Sequence, residues 1–189
     1  VLGADKKKLG KRHGSTSVVQ FRDEGYLQDA MLNFLARLGW SLDDKNELFT
    51  RDQLIAAFTL DKIEHAPAIF DYGKLDWTNG YYIRQLADDD LATRLMPYFD
   101  KAHLKTDPAM LRLLAPLVKE RMKKLSEAVT LGDFLFVDEV AYDPPLLIGK
   151  GMDAASALAA LRAAQATLEK YAAFDDEEKI EAELRAAAD

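Results

Sequence analysis

Nine residues near the start of the chain, Lys6-Lys7-Lys8-Leu9-Gly10-Lys11-Arg12-His13-Gly14, bring together five side chains that are positive at pH 7, two glycines and one apolar residue. Lys8 and Lys11, three apart, can converge on one anionic group when the loop between them curls. Glycine lets a backbone turn sharply and lets a ligand come close, because it has no Cβ. Positioned cations on such a loop can neutralise the charge of a polyphosphate, which is electrostatic work with little covalent chemistry. The same run also reads as a solvated basic tail or a weak nucleic-acid patch. Residue types alone leave both readings open.

Two further clusters could contact a ligand. Trp77, Tyr81 and Arg84 fall on one face of a helical pattern, where aromatics beside an arginine can meet nucleic-acid bases and backbone or simply pack amphipathically. Lys119, Arg121, Lys123 and Lys124 gather at the end of another helical pattern. There they complement the negative end of a helix dipole, as a solvated face or as an RNA-backbone contact. From these clusters the candidate RNA contacts are Trp77, Tyr81, Arg84, Arg121 and Lys124. His13, His65 and His103 are far apart and lack metal-ligand spacing, so no metal site is expected. Carboxylate pairs such as Asp138-Glu139 sit in turns and caps. No nucleophile elbow, dinucleotide loop or Walker loop is present.

The elements that must carry these residues are mostly helical. Residues 15–21 hold β-branched residues in a short run that predicts a strand. Leu27, Met31, Phe34, Leu35 and Leu38 recur at helical spacing, with Gly39 placed as a left-handed C-cap. Thr50 and Gln53 form a capping-box pattern ahead of Leu54, Ile55 and Phe58. Pro67 favours an extended entry, and Asp71 can cap a helix whose Leu75, Tyr82, Ile83 and Leu86 pack inward. Asn79-Gly80 inside that helix is locally unfavourable and points to close packing or a special contact.

Asp88-Asp89-Asp90 supplies a cap for a helix carrying Leu91, Leu95 and Phe99, which Pro97 should kink or shorten. Asp107-Pro108 opens the next helix, through Met110, Leu111, Leu114, Leu117 and Val118, with Pro116 bending it. A short apolar segment follows Thr130, and residues 142–151 read as a loop. An alanine-rich helix is expected from Asp153 to about Phe174, with Leu158, Leu161, Leu168 and Tyr171 as its ridge. Asp175 and Glu178 make a further capping box before a helix through Ile180, Leu184 and Ala187. The expected fold class is mainly α: a small mixed domain over residues 1–87, then a helical bundle over 88–189.

With 189 residues, 49% of them hydrophobic and 30% charged, the chain has the make-up of a soluble globular protein with a buried core. No apolar run approaches the roughly 18 residues of a membrane helix, and no signal-peptide pattern follows the basic start. Cysteine is absent, which excludes disulfides and Cys-based zinc sites and fits a cytoplasmic protein. The net charge of −7 is unevenly spread: residues 6–12 are cationic and residues 175–183 acidic. An acidic protein can still bind nucleic acid through a local basic face.

The order of residues in the loop narrows the choice. Lys8-Leu9-Gly10-Lys11-Arg12 resembles the KMSKS signature of class I aminoacyl-tRNA synthetases, and Lys8 to Gly14 resembles the KLSKRHG form of glutamyl-tRNA synthetases. The family has Ser where this chain has Gly10, so a hydroxyl is lost and the loop is freer. Tyr26 to Ser41, Pro67–Asp71, Lys74–Arg84, the Glu120-Arg121 to Phe136 stretch and Phe174 to Ala187 are similar to bacterial glutamyl-tRNA synthetase segments. Leu-Asp-Trp-Thr-Asn-Gly-Tyr-Tyr-Ile-Arg (75–84) is the specific match; the alanine-rich region is not specific.

The resemblance implies ATP-dependent attachment of glutamate to its tRNA through a glutamyl-adenylate. In that family the loop matching Lys8, Leu9, Gly10, Lys11 and Arg12 binds ATP and stabilises the triphosphate as pyrophosphate departs, which makes Lys8 and Lys11 the expected catalytic residues. It also implies Mg2+ in the full-length enzyme, no tightly bound cofactor in this chain, and the glutamate tRNA as partner. A monomer with neither DNA nor membrane as partner is expected. The family's Rossmann domain should precede Val1 and the end of its anticodon-binding domain should follow Asp189. The chain is therefore expected to be a fragment that does not aminoacylate alone. The competing reading is a stand-alone helical interaction module with an incidental basic tail.

Overall fold

The computed structural model describes residues 1–14, 17–43, 45–64 and 66–188. The chain divides into two compact units, residues 1–138 and 139–189. Among the described residues regular structure is helical, and extended pairing is limited to isolated bridges: Leu2 with Lys8 and with Ile69, and Trp40 with Ile63.

The first helix of the larger unit replaces the expected strand. Helix α1 (Val18–Glu24) forms because Ser17 and Gln20 make a reciprocal capping box, and Gly25 ends it in the left-handed region at φ 100°. Val18 and Val19, whose β-branching suggested a strand, are exposed, and only Phe21 is buried. Ser15 and Thr16, also in that stretch, lie outside the described residues. Helix α2 (Gln28–Ala36) stops before Gly39, which is not in the left-handed region. Gly39 instead accepts a hydrogen bond from the Glu64 amide at 2.8 Å, tying the turn to the 63–64 segment.

Helix α3 (Arg51–Ala57) has the expected Thr50–Gln53 box with both bonds made. Helix α4 (Tyr72–Gln85) is capped by Asp71, which accepts from the Lys74 amide, and it buries Leu75, Thr78, Asn79, Gly80 and Ile83. Helix α5 (Asp88–Lys101) begins after Ala87, so Asp88, Asp89 and Asp90 occupy its first turn, where they favour the positive end of the dipole. It runs through Pro97 to Lys101 and is not shortened there. Helix α6 (Pro108–Lys119) has the expected Asp107 cap and Pro108 at its first position, and α7 (Glu127–Gly132) follows.

Leu91, Leu95 and Phe99 of α5 face Leu111, Leu114 and Val118 of α6, joined by Ile83, Met122 and Leu125 in the main core. Each such buried side chain contributes about 1.5–3 kcal/mol. A second cluster, Phe21, Tyr26, Phe34, Phe70 and Leu75, underlies the start of the chain, and a third holds Trp40, Phe49 and Leu54.

In the smaller unit, α8 (Ala154–Leu168) is capped by Asp153 and ends before the expected Phe174. Helix α9 (Glu177–Ala188) is entered from Asp176, not Asp175: the Asp176 carboxylate accepts from the Lys179 amide at 3.1 Å. Leu158 and Leu161 of the expected ridge are about half exposed, whereas Ala157 and Thr167 are buried.

Candidate functional site

The opening residues form a tight loop pinned at its base. Leu2 donates to the Ala68 carbonyl and accepts from the Phe70 amide, each at 2.8 Å, while the Leu9 amide donates to the Val1 carbonyl at 3.1 Å. Leu9 packs against the second core cluster, so the one apolar residue of the run anchors it. Lys6, Lys7, Lys8 and Arg12 stay exposed, Gly10 is half-buried, and Lys11 opens a short 3-10 turn to His13. Among the described residues no carboxylate pairs with Lys6, Lys7 or Lys8; Arg12 lies 3.9 Å from Asp5. Lys6, Lys7 and Lys8 are thus presented without a carboxylate partner among the described residues, a fit for a polyphosphate, while Arg12 faces Asp5. The side chain of Lys11 lies outside the described residues.

The segment that pairs with Leu2 runs directly into α4. On that helix Trp77, in its first half, is 46% exposed, and Tyr81, further along, stands edge-on to Tyr82 at 5.6 Å. Tyr81 and Tyr82 line a cleft of about 620 Å³ with Gln28, Arg51, Gln85 and Arg94 among its walls. Arg84 is half-buried, its guanidinium beside Gly80. A Cβ at Gly80 would come within 3.3 Å of the Met122 carbonyl and 3.7 Å of Lys123 Cα, so that glycine lets α4 lie directly on the connector between α6 and α7.

Asn79 fastens this contact. Its Oδ1 accepts from the Leu27 amide at 2.7 Å, and its Nδ2 donates to the Gly25 carbonyl at 3.1 Å and the Lys123 carbonyl at 2.6 Å. The side chain is fully buried, and its three bonds join three segments of chain. This is the special contact that Asn79-Gly80 foretold. Beside it, the Leu125 amide donates to the Gly25 carbonyl at 3.1 Å, and Ser126 Oγ donates to the Glu24 carbonyl at 2.6 Å. The Tyr26 hydroxyl donates to Asp76; burial first, then that carboxylate, pushes the phenol's pKa up.

The second basic cluster is reduced by these contacts. Lys119 is not a solvated member: its ammonium holds the Leu86 carbonyl and lies 2.9 Å from Asp88. Lys124 sits 5.8 Å from the centre of the Tyr26 ring, and Arg121 and Lys123 are exposed. The structure therefore brings Arg84, Lys123 and the 121–124 connector together, and places Trp77 and Tyr81 along the same helix. Arg51 and Arg94 in the cleft were not singled out in the sequence, where neither belongs to a basic run. His65 lies outside the described residues. Among the described residues no three His, Cys, Asp or Glu side chains are grouped to hold a metal ion.

Residues 1–77 match the family described as tRNA synthetases class I (E and Q), catalytic domain, and residues 90–189 match the anticodon binding domain family. The chain belongs to the class I tRNA synthetases. It carries the end of a catalytic domain and an anticodon-binding domain. It is 47% identical over 182 residues to a glutamate–tRNA ligase of Dehalococcoides mccartyi, covering 93% of this chain and 37% of that protein. A glutamate–tRNA ligase of Borreliella afzelii is 41% identical over 90% of this chain and 36% of its own length.

The fold agrees as well. The crystal structure of a glutamate tRNA ligase from Elizabethkingia meningosepticum, in complex with its amino acid, superposes with a TM-score of 0.75 at 22% identity, over all of this chain and 40% of that one. The glutamate-tRNA synthetase of Elizabethkingia anophelis gives 0.73 at 24% identity over 97% and 39%. The chain thus spans a little over a third of the length of these synthetases. Among the described residues no helix is long and apolar enough to cross a membrane.

Proposed function

We propose that this chain supplies the signature loop and the tRNA-contacting part of a cytoplasmic glutamate–tRNA ligase. Such a ligase joins the glutamate carboxylate to the α-phosphate of ATP, releasing pyrophosphate, and then passes the glutamyl group to tRNA with release of AMP. The observation that supports this reading is the loop: Leu9 is anchored in the core while Lys8 stands exposed with no carboxylate partner among the described residues, and Arg12 stands exposed beside Asp5. Lys8 and Lys11 neutralise charge gathering on the departing pyrophosphate, with Leu9, Gly10 and Arg12 shaping the loop around it. A bound Mg2+ would share that neutralisation. Residues 1–87 hold the loop and the stem-contacting part, and residues 88–189 the anticodon-binding part.

For the tRNA, Trp77 and Tyr81 offer rings for stacking, and Arg84, Arg121 and Lys124 offer charge to the phosphate backbone. A monomer of this chain binds the glutamate tRNA through that surface. Titration of the full chain with this tRNA at increasing salt is expected to show affinity that falls steeply, because phosphate neutralisation releases counterions. Footprinting should protect the inner elbow and the anticodon arm. Affinity indifferent to salt, or absence of any footprint, overturns the reading in favour of a helical protein-interaction module.

A further inference from the structure

We propose that His13 is a positioning residue for the cationic loop, its ring tying Gly10 to Asp5 so that the Lys8–Arg12 backbone is held in one conformation. The sequence gives His13 no role beyond a surface or packing residue. In the structure its side chain is only 11% exposed, whereas that of Arg12 beside it is 65% exposed. The ring is sunk into the loop, not splayed from it.

Three contacts define the arrangement. The Gly10 amide donates to His13 Nδ1 at 3.0 Å, His13 Nε2 lies 3.0 Å from Asp5 Oδ1, and the ring covers Gly3 so closely that a Cβ there would fall 2.6 Å from Cδ2. Nδ1 lies near both the Gly10 amide and, at 3.1 Å, the Gly10 carbonyl; with Nδ1 accepting from the amide, a ring carrying one proton holds it on Nε2 and donates it to Asp5. The His13 amide also donates to the Gly10 carbonyl at 2.9 Å, closing the turn that contains Lys11 and Arg12.

Asp5 is the other half of the device. The same Oδ1 accepts from the Lys7 amide at 3.0 Å, and Oδ2 faces Arg12 at 3.9 Å. The Lys7 amide first, then His13 and Arg12, hold this carboxyl below its ordinary range and keep it ionised. One imidazole and one carboxylate thus fix the backbone on both sides of Lys8, at Lys7 and at Gly10, and leave the Lys8 ammonium free. The amines are aimed by atoms that never meet the phosphate.

The hydrogen bonds are testable without any ligand; only the last measurement rests on the phosphate role proposed for the loop. In the full chain, at a pH where the ring carries a single proton, the nitrogen shifts of His13 should place it on Nε2, and a proton on Nδ1 would overturn the assignment. His13→Ala should speed amide exchange roughly fivefold or more at Gly10, as loss of its hydrogen bond requires. It should also speed exchange measurably at Lys7, because the Asp5 carboxylate that accepts from it loses the ring that steadies it, with core amides such as that of Leu95 unchanged. His13→Asn, whose Oδ1 can replace Nδ1 but cannot reach Asp5, should slow exchange again at Gly10 and not at Lys7. Equal exchange in all three proteins refutes the inference.

Inorganic pyrophosphate then separates the two readings. Binding by the parent chain that weakens in His13→Ala supports positioning. Binding of equal strength in both refutes it and leaves the phosphate role standing. No binding to either counts against the phosphate role, and the exchange measurements still decide the role of His13.

Discussion

Two polar hubs organise the larger unit, and they differ in almost everything but their logic. Asn79 and His13 each tie distant stretches of backbone through one side chain. Asn79 is fully buried and joins α4 to Gly25, Leu27 and Lys123. His13 works in an exposed loop, among neighbours that water can reach. A buried amide that loses its partner keeps its full desolvation cost, about 1–3 kcal/mol, whereas an exposed one is re-solvated. Similar connectivity therefore serves two ends: at Asn79 it holds the fold together, and at His13 it holds one loop in shape.

The contrast is open to direct attack. Asn79→Leu leaves the Leu27 amide and the Lys123 carbonyl unpaired in the interior, and should cost about 3 kcal/mol or more in urea unfolding. Gly25→Ala, at φ 100° and with its Cβ 2.5 Å from the Leu125 nitrogen, should cost roughly 3 kcal/mol. If either variant unfolds like the parent, the joint is not where the larger unit is fastened.

At the loop the effects should be smaller globally and sharper locally. Gly3→Ala drives a methyl into the His13 ring and should change global stability by less than about 1 kcal/mol while displacing the histidine resonances. A loss as large as that of Asn79→Leu would erase the distinction between the two hubs. Gly10→Ser should change least: the new Cβ meets only the Lys8 carbonyl oxygen, at 3.9 Å. Restoring the residue typical of the family should leave unfolding within about 0.5 kcal/mol of the parent and keep the Gly10–His13 hydrogen bond, as seen in the amide spectrum.

Local signals in the sequence were read well where one side chain decides the structure. The Thr50–Gln53 box, the Asp71 cap, and Asp107 with Pro108 all formed as spelled. Asn79-Gly80 announced its contact by being wrong for a helix, although nothing in the sequence named Gly25 or Lys123 as the partners. The strand expected over residues 15–21 failed because Ser17 and Gln20 cap a helix whose valines face water, so capping outweighed β-propensity. The ridge of α8 failed for another reason: alanine supplies helix propensity without saying which side is covered.

The candidate site was legible unevenly for the same cause. The lysine loop and the Trp77–Arg84 face are contiguous in sequence and could be seen together. Lys119 looked like its neighbours, and only the fold brings Asp88 and the Leu86 carbonyl to it. Arg51 and Arg94 come from separate helices and share a cleft only after packing. His13 resembled any isolated histidine until Gly3 and Asp5 closed around it.

Helix α4 starts one residue after the segment that pairs with Leu2 and, past its middle, lies against the 122–123 backbone at Gly80. Its fourteen residues make a stiff rod about 20 Å long. Its two seats, at the start and at Gly80, lie about 12 Å apart, so the rod behaves as a lever: a tilt of about 5° at one seat shifts the other by about 1 Å. A displacement at the Gly80 seat would thus be delivered mechanically to the floor beneath the lysines, with no change in the residues between.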